Sequence, residues 1–336
     1  MEICKGLVSV IMSNFNTPEE YLRAAIESIL SQTYSNIEFI IVDDCSTDDS
    51  LKVIESYTDE RIIVIKNEEN LGITKSLNRA LKIAKGEFIA RMDADDISFP
   101  ERFQKQIDFL NKNSEVIVCG TGVELFGDGA DVHKEKLVCK AIPERDIFQI
   151  LLLFGNHTNI IHPTAMFRAE ALRKNNITYN ENYRYAQDYR MWVECSRYGE
   201  CQNVDEVLLK YRIHKKAVSS FDKNPQMECA RDIMAEQLSW LELSLPENWE
   251  NMHFGFFVGR KKYDLNQKKW IESILRQNRS KKVYNQRILK KMLYEKWAET
   301  VYFQIQKKKG IKKIKPLLFL PIRYWFVLVD IKISRR

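Results

Sequence analysis

Asp93-Ala94-Asp95-Asp96 crowds three carboxylates into four positions, Asp43-Asp44 pairs two more, and Asp188 opens the segment Asp188-Tyr189-Arg190-Met191-Trp192. Hard cations such as Mg²⁺ and Mn²⁺ take oxygen ligands, usually one or two carboxylates plus the phosphate oxygens of a substrate. A carboxylate in reach of a hydroxyl also serves as a general base. The pattern therefore suits metal-assisted chemistry on a diphosphate leaving group. Taken alone, Asp93 to Asp96 reads equally well as an acidic helix-capping loop ahead of Pro100, because Asp favours turns and helix starts.

The elements around these residues strengthen the first reading. Leu7 to Met12 is a short apolar, β-branched run, expected as a buried strand. Asn14 to Thr17 makes a turn, and Pro18 suits the first turn of a helix with Leu22, Ala25, Ile26, Ile29 and Leu30 on one face. Phe39 to Val42 is a second strand that runs into Asp43-Asp44, after which Ser46 or Thr47 is placed to cap a helix through Val53 and Ile54. Ile62 to Ile65 is a third strand, Thr74 to Ala84 a helix, and Phe88 to Met92 a fourth strand that delivers Asp93. Strand and helix alternate, so the expected fold class is α/β with a mostly parallel, doubly wound sheet. In such sheets ligands bind outside the carboxyl ends of the strands, where both acidic clusters fall. Further on come a helix with Phe103, Ile107 and Leu110, a strand Val116 to Cys119, and a Gly-rich stretch from Gly120 to Gly129. Leu151 to Arg168 with Tyr185 to Tyr198 reads as a mixed half that brings further groups to the site. Beyond about Met227 the pattern turns helical, for example over Lys281 to Val301.

A chain of 336 residues, 45% hydrophobic and 29% charged, has the composition of a globular protein with room for one large α/β unit and an appendage. Its seven cysteines form no CxxC pair, which favours reduced structural thiols over a zinc site or a disulfide framework. The net charge of +6 is uneven, with aspartates early and Lys and Arg crowding the last third. That asymmetry fits an acidic metal site in front and an anionic partner behind.

Five segments in order carry a more specific signal: Val8 to Asn16 (VSVIMSNFN), Ser28 to Tyr34 (SILSQTY), Val42 to Asp48 (VDDCSTD), Asn70-Leu71-Gly72, and Met92 to Asp96 (MDADD). Together they resemble glycosyltransferase family 2 over roughly the first two thirds of the chain. The resemblance implies a GT-A fold that binds a nucleotide-diphosphate sugar, commonly a UDP-sugar, with Mn²⁺ or Mg²⁺. Carried over by position, it places Ser13 by the nucleotide, Asp44 on the base, Asp93 by the ribose and metal, and Asp95 as the principal metal contact. Cys45 stands where the family commonly has Gly, and a local backbone change is expected there.

Gln187-Asp188-Tyr189-Arg190-Met191-Trp192 resembles the family's base-bearing segment, which makes Asp188 the base that takes the acceptor proton; otherwise it is a first-turn Asp favoured by the helix dipole. Trp192 is either an acceptor platform or core, with core favoured by its helical spacing. His162 and His214 match recurrent stretches of the family, with His214 in reach of metal or diphosphate; a lone His is more often a hydrogen-bonded structural residue.

The expected organisation is a catalytic domain over residues 1–226, split into a nucleotide-sugar half (1–120) and an acceptor half (121–226), followed by a helical, basic region over 227–336. Lys307 to Lys315 is a basic cluster, and the apolar run Pro316 to Val329 behind it is broken by Pro321 and Arg323. It falls short of the ~20 residues a spanning helix needs. Lys residues beside Trp, Tyr and Phe suit an anionic membrane surface, the alternative being a helix packed on the catalytic domain. With no apolar leader in Met1 to Gly6, the expected location is cytoplasmic, peripheral on the inner face of the cell membrane. No nucleic-acid module accompanies the charge.

The function expected from all this is inverting transfer of a single hexosyl or N-acetylhexosaminyl unit from a UDP-sugar to a hydroxyl of a glycan or lipid-linked acceptor, in cell-surface polysaccharide or glycoconjugate synthesis. A dinucleotide oxidoreductase would need glycines where Ser13-Asn14-Phe15-Asn16 has none. A processive synthase would carry Q-x-x-R-W, and Gln187 to Met191 lacks that Trp. An inactive nucleotide-sugar-binding scaffold of the same fold is the remaining alternative.

Overall fold

The computed structural model describes residues 3–127, 136–137, 142–156, 160–213, 225–247, 249–253 and 265–307. Their contacts divide into two compact units, one drawn from Met1–Arg145 and His157–Cys229, the other from Asp146–Asn156 and Ala230–Arg336.

In the first unit the expected alternation is present: β1 (Cys4–Asn14), α1 (Glu19–Leu30), β2 (Ile37–Asp43), α2 (Ser50–Glu55), β3 (Ile62–Lys66), α3 (Ile73–Ile83) and β4 (Gly86–Asp93). Next come β5 (Ile97–Ser98), α4 (Arg102–Lys112), β6 (Val116–Phe126) and β7 (Lys136–Leu137). The first turn of α5 (Arg145–Leu153) leaves this unit, and the chain returns through a 3₁₀ turn (His162–Thr164), β8 (Met166–Arg168), α6 (Ala169–Lys174), α7 (Gln187–Tyr198) and β9 (Glu200–Arg212).

The strands form one sheet in the order β3-β2-β1-β4-β8-β6-β9-β5, with β7 on β6. β1, β2, β3 and β4 are parallel, β8 inserts antiparallel between β4 and β6, and β6 and β9 are parallel. The chain moves from β1 outward through β2 to β3, then returns to place β4 on the other side of β1. The strand order thus reverses between β1 and β4, the crevice where open α/β sheets bind ligands. The central strands are buried on both faces: Val8, Val10 and Met12 point into the same core as Leu22, Ala25, Ile26 and Ile29 of α1. This is the α/β fold with a mostly parallel sheet expected from the sequence.

Three local expectations differ from the structure. The stretch after Cys119 is strand, because β6 continues through Gly120 and Gly122 to Phe126. A Cβ on Gly120 would meet Asn203 Oδ1 at 2.5 Å, so glycine there marks close approach within a sheet. Helix α2 begins at Ser50 behind Asp49, since the Ser46 hydroxyl bonds back to Asp43 at 2.6 Å and cannot cap it. The helical stretch expected over Lys281 to Val301 is interrupted.

That interruption lies in the second unit, built from α5, α8 (Pro225–Ser239), α9 (Trp249–Met252), α10 (Leu265–Lys281) and α11 (Gln286–Lys307). Lys282 is left-handed (φ 54°) between the last two. The buried Asn278 then clasps the connection, donating to Tyr284 O at 2.9 Å and accepting from Tyr284 N at 2.9 Å. Leu153, Leu238, Trp270, Ile274, Leu293 and Trp297 form the core of this unit. Among the described residues no helix is long and apolar enough to cross a membrane. The basic run from Lys308 and the apolar run to Val329 lie outside the described residues.

Candidate functional site

The carboxyl ends of β2, β1 and β4 lie side by side. Ser13 pairs in register with Val42 on one side and with Asp93 on the other, and Asn14 pairs with Asp43. Parallel register therefore brings residues far apart in sequence, Ser13, Asp43 and Asp93, to one edge.

The two aspartates after β2 hold the loops of that edge. Asp43, buried, accepts from Asn14 Nδ2 at 2.8 Å and from Ser46 N and Oγ. Asp44, also buried, accepts from Asn67 Nδ2 at 2.6 Å, from Leu71 N at 2.8 Å and from Gly72 N at 2.8 Å. Both Asp44 oxygens are thus engaged by the Asn70-Leu71-Gly72 segment and its neighbour. This carboxylate, expected on the nucleotide base, is firmly built into the loop architecture; a carboxylate offers about four acceptor sites, so engagement by three donors leaves capacity for one more. Cys45 follows at φ 61°, the left-handed region that a glycine enters at no steric cost, so the side chain is carried without the backbone leaving that region.

β4 ends at Asp93 and the chain turns at once through Ala94 and Asp95. Asp93, Asp95 and Asp96 each offer an oxygen within 4.8 Å of the others. Asp93 is ion-paired with the buried Arg91 of the same strand. Asp96 is 1% exposed, accepts from Arg212 N at 2.8 Å through Oδ1, and its buried Oδ2 has no partner among the described residues. Burial first, then the Asp93 and Asp95 charges, push the Asp96 carboxyl well above the ordinary carboxylate range. Like charge beside a buried carboxylate disfavours its ionised form, and a cation at the turn would offset that charge. An unpartnered buried oxygen and an all-oxygen donor set fit a hard divalent cation.

Two side chains outside the motif shape this turn. Arg212, from the end of β9, donates Nε–H to Asp95 O at 2.7 Å, and its guanidinium lies between the Tyr21 ring (3.8 Å) and the Phe126 ring (4.3 Å). Gln32 of the SILSQTY segment donates to Phe99 O at 2.8 Å and accepts from Phe103 N at 3.2 Å, fixing the chain where it leaves the turn. Tyr211 stands near the same carboxylates: burial, then Asp93, Asp96 and Asp95, raise its phenol.

Asp188 lies in the first turn of α7, half-buried, with Oδ1 accepting its neighbour Tyr189 N at 2.8 Å. Ala186, left-handed at φ 55°, turns the chain into that helix without a side-chain cap. Nearby, burial raises the Tyr179 phenol most, the Arg91 charge opposes this, and Cys195, Asp188 and Asp93 raise it further. Tyr179 OH in turn pairs with His162 Nε2 at 2.8 Å. His162 is buried, and its basicity is depressed by desolvation and then by Arg91, which suits a neutral, structural imidazole. Trp192 is fully buried, stacked on Phe167 at 5.9 Å and edge-on to His162 at 6.0 Å. It is core, and the acceptor-platform reading of it fails on burial. His214 lies outside the described residues.

Asp96, Arg212 and Tyr211 were not among the residues expected at the site. Asp96 stood in plain view as the third acid of the motif, but alternation along a strand groups Asp93 with Asp95 only. The chain turns after Asp93, so alternation no longer applies.

The family model described as glycosyl transferase family 2 matches residues 9–175. An uncharacterized glycosyltransferase of Haemophilus influenzae is 36% identical over 249 residues, 71% of this chain and 75% of that protein. The Escherichia coli protein WfaP, named UDP-Glc:alpha-D-GlcNAc-diphosphoundecaprenol beta-1,3-glucosyltransferase, is 32% identical over 220 residues, 64% of this chain and 80% of that one. Among solved structures, residues 1–349 of S. aureus TarS in complex with UDP-GlcNAc superpose with a TM-score of 0.56 at 19% identity, over 97% of this chain and 92% of that chain.

Proposed function

From the premise that the chain belongs to glycosyltransferase family 2, we propose that it transfers a single sugar from a UDP-sugar to a hydroxyl of a glycan or lipid-linked saccharide, with inversion, in polysaccharide or glycoconjugate synthesis. The observation that carries this reading is the trio Asp93, Asp95 and Asp96 at the β1/β4 crevice, with an unpartnered oxygen on Asp96. The printed name of WfaP supports a UDP-sugar donor and a diphosphate-lipid-linked acceptor.

Asp93, Asp95 and Asp96 would hold Mn²⁺ or Mg²⁺, with His214 a further ligand. Such an ion offsets negative charge on the departing diphosphate. Ser13 lies by the nucleotide, and Asp44 shapes and contacts the base pocket. Asp188 takes the proton of the acceptor hydroxyl as its oxygen bonds to the anomeric carbon, while the electron pair of the breaking bond leaves with UDP. Attack opposite the leaving group inverts the anomeric centre in one displacement. Residues 1–120 act as the donor half, 121–226 as the acceptor half and 227–336 as a helical basic region whose last segment rests on an anionic membrane surface from the cytoplasmic side.

UDP release measured over a panel of UDP-sugars with Mn²⁺ tests this. Wild type turns over one donor, Asp188→Asn keeps donor affinity and loses turnover, and Asp95→Asn loses metal-dependent donor binding. Donor binding by wild type without turnover on any saccharide acceptor sinks the enzyme reading in favour of a nucleotide-sugar-binding scaffold.

A further inference from the structure

The helical unit carries a second concentration of charge that the reaction above does not use. Leu275, Arg276 and Arg279 lie three, four and seven residues beyond Glu272 and so share one face of α10, and Lys290 and Tyr294 are four apart along α11. Together they line a cleft of 220 Å³ between the two helices. Arg276, Arg279 and Lys290 have no acidic partner among the described residues, whereas Glu272 has its own cation in Lys268, at 3.9 Å. Three cations without an ion pair among the described residues thus line one concavity together with a single carboxylate.

The cleft is rigid. Asn278 bonds Tyr284 through both its amide groups and donates to Gln286 Oε1 at 2.7 Å, while Gln286 donates to Leu275 O at 3.1 Å. Beneath it Leu275, Leu289 and Leu293 belong to the buried core. Cations in the last turn of a helix are ordinarily explained by the helix dipole, and Arg279 lies there. That explanation does not reach Arg276, one turn earlier, or Lys290, in the first half of α11. Moreover, like charges three residues apart on a helix are unfavourable by themselves, so Arg276 and Arg279 are placed at some cost to α10.

We propose that this cleft is a binding site for the phosphate group of an anionic ligand. Two guanidinium forks suit bidentate contact with phosphate oxygens, and a lysine adds a point charge from the facing helix. Pockets for drug-sized ligands run to ~300–1,000 Å³, so 220 Å³ admits a phosphate or diphosphate head and leaves anything attached to it outside. The phosphate arrives either free or as a lipid headgroup.

The experiment uses the full chain in EDTA, so that no divalent metal recruits phosphate to the aspartate turn. Sodium pyrophosphate is titrated calorimetrically, and equimolar phosphatidylglycerol–phosphatidylcholine vesicles are sedimented with the protein. The double variant Arg276→Gln/Arg279→Gln is expected to weaken binding by roughly tenfold or more, the scale of losing charge-assisted hydrogen bonds. Lys290→Gln weakens it less, and Lys291→Gln, outside the cleft, leaves it unchanged. Loss in the pyrophosphate arm alone assigns a free phosphate, loss in the vesicle arm alone a headgroup, and loss in both a site open to either. Equal binding by wild type and every cleft variant in both arms overturns the proposal. Thermal melting checks folding, and if the double variant melts early, Lys290→Gln carries the test.

Discussion

The backbone N–H of Arg212 donates to Asp96 Oδ1 at 2.8 Å, joining the end of β9 to a turn 116 residues earlier in the chain. With its guanidinium on the main-chain carbonyl of Asp95 and between two rings, one residue holds both the backbone of Asp95 and one carboxylate oxygen of Asp96. Removing the side chain leaves the backbone bond to Asp96 and takes the guanidinium from the main-chain carbonyl of Asp95. Arg212→Ala is therefore expected to raise the Mn²⁺ concentration needed for half-maximal donor binding by about 10- to 100-fold, the usual effect of losing an outer-shell support. A titration at saturating donor reads this, and an unchanged midpoint removes Arg212 from the positioning role.

Asp44 makes a different kind of contribution. Its buried carboxylate accepts three donors, two of them backbone N–H groups of Leu71 and Gly72. Asp44→Ala strands those donors and is expected to destabilise the chain by about 3 kcal/mol. Asp44→Asn does not restore them fully, since its NH₂ faces a donor. Urea unfolding of both variants measures the effect, and a loss below 1 kcal/mol for the alanine variant, a threshold set by roughly one ordinary hydrogen bond, contradicts a structural role.

Cys45 stands at φ 61° with its Sγ only 3.5 Å from Glu68 O, a weak contact. Left-handed backbone costs an L residue other than glycine roughly 1–2 kcal/mol. Cys45→Gly is expected to recover about 1 kcal/mol of stability after the greater chain entropy of glycine is discounted. A lower urea midpoint for the variant contradicts this.

In the helical unit His253 is buried between two fixed partners. Its Nε2 faces Leu153 O at 2.9 Å, and Trp270 Nε1 donates to its Nδ1 at 3.3 Å, which together select the neutral tautomer protonated at Nε2. Burial lowers its pKa from 6.5 to about 4, with the Leu153 carbonyl opposing the shift. Above pH 6.5 the ring is neutral in both folded and unfolded chains, and its contribution to stability is complete. As pH falls from 6.5 to about 4 the unfolded chain takes up the proton first, so stability drops by roughly 3 kcal/mol in total. His253→Gln is expected to lack this component of the pH dependence, seen by comparing urea midpoints of the two proteins across that range.

Much of the first unit is written locally. Apolar runs of four to six residues feeding acidic ends, and helices with one apolar face, are patterns of single segments, so β1 to β4 and α1 to α3 could be placed from them. The same holds for the aspartate turn as a cluster, because its members are neighbours in sequence. Trp192 also followed its helical spacing into the core.

What local pattern does not carry is pairing between distant segments. Ser13 meets Asp93 because β4 returns beside β1, and Asp96 is drawn into the trio because the chain turns after Asp93 and Arg212 holds it from β9. Gly120 stood only as part of a Gly-rich stretch, and the packing shows why it is glycine: a Cβ there would meet Asn203 Oδ1. Sequence by itself determined which residues carry charge and which segments alternate; only the tertiary structure decided which charges share one crevice, since strand register and long-range hydrogen bonds are properties of the packed chain.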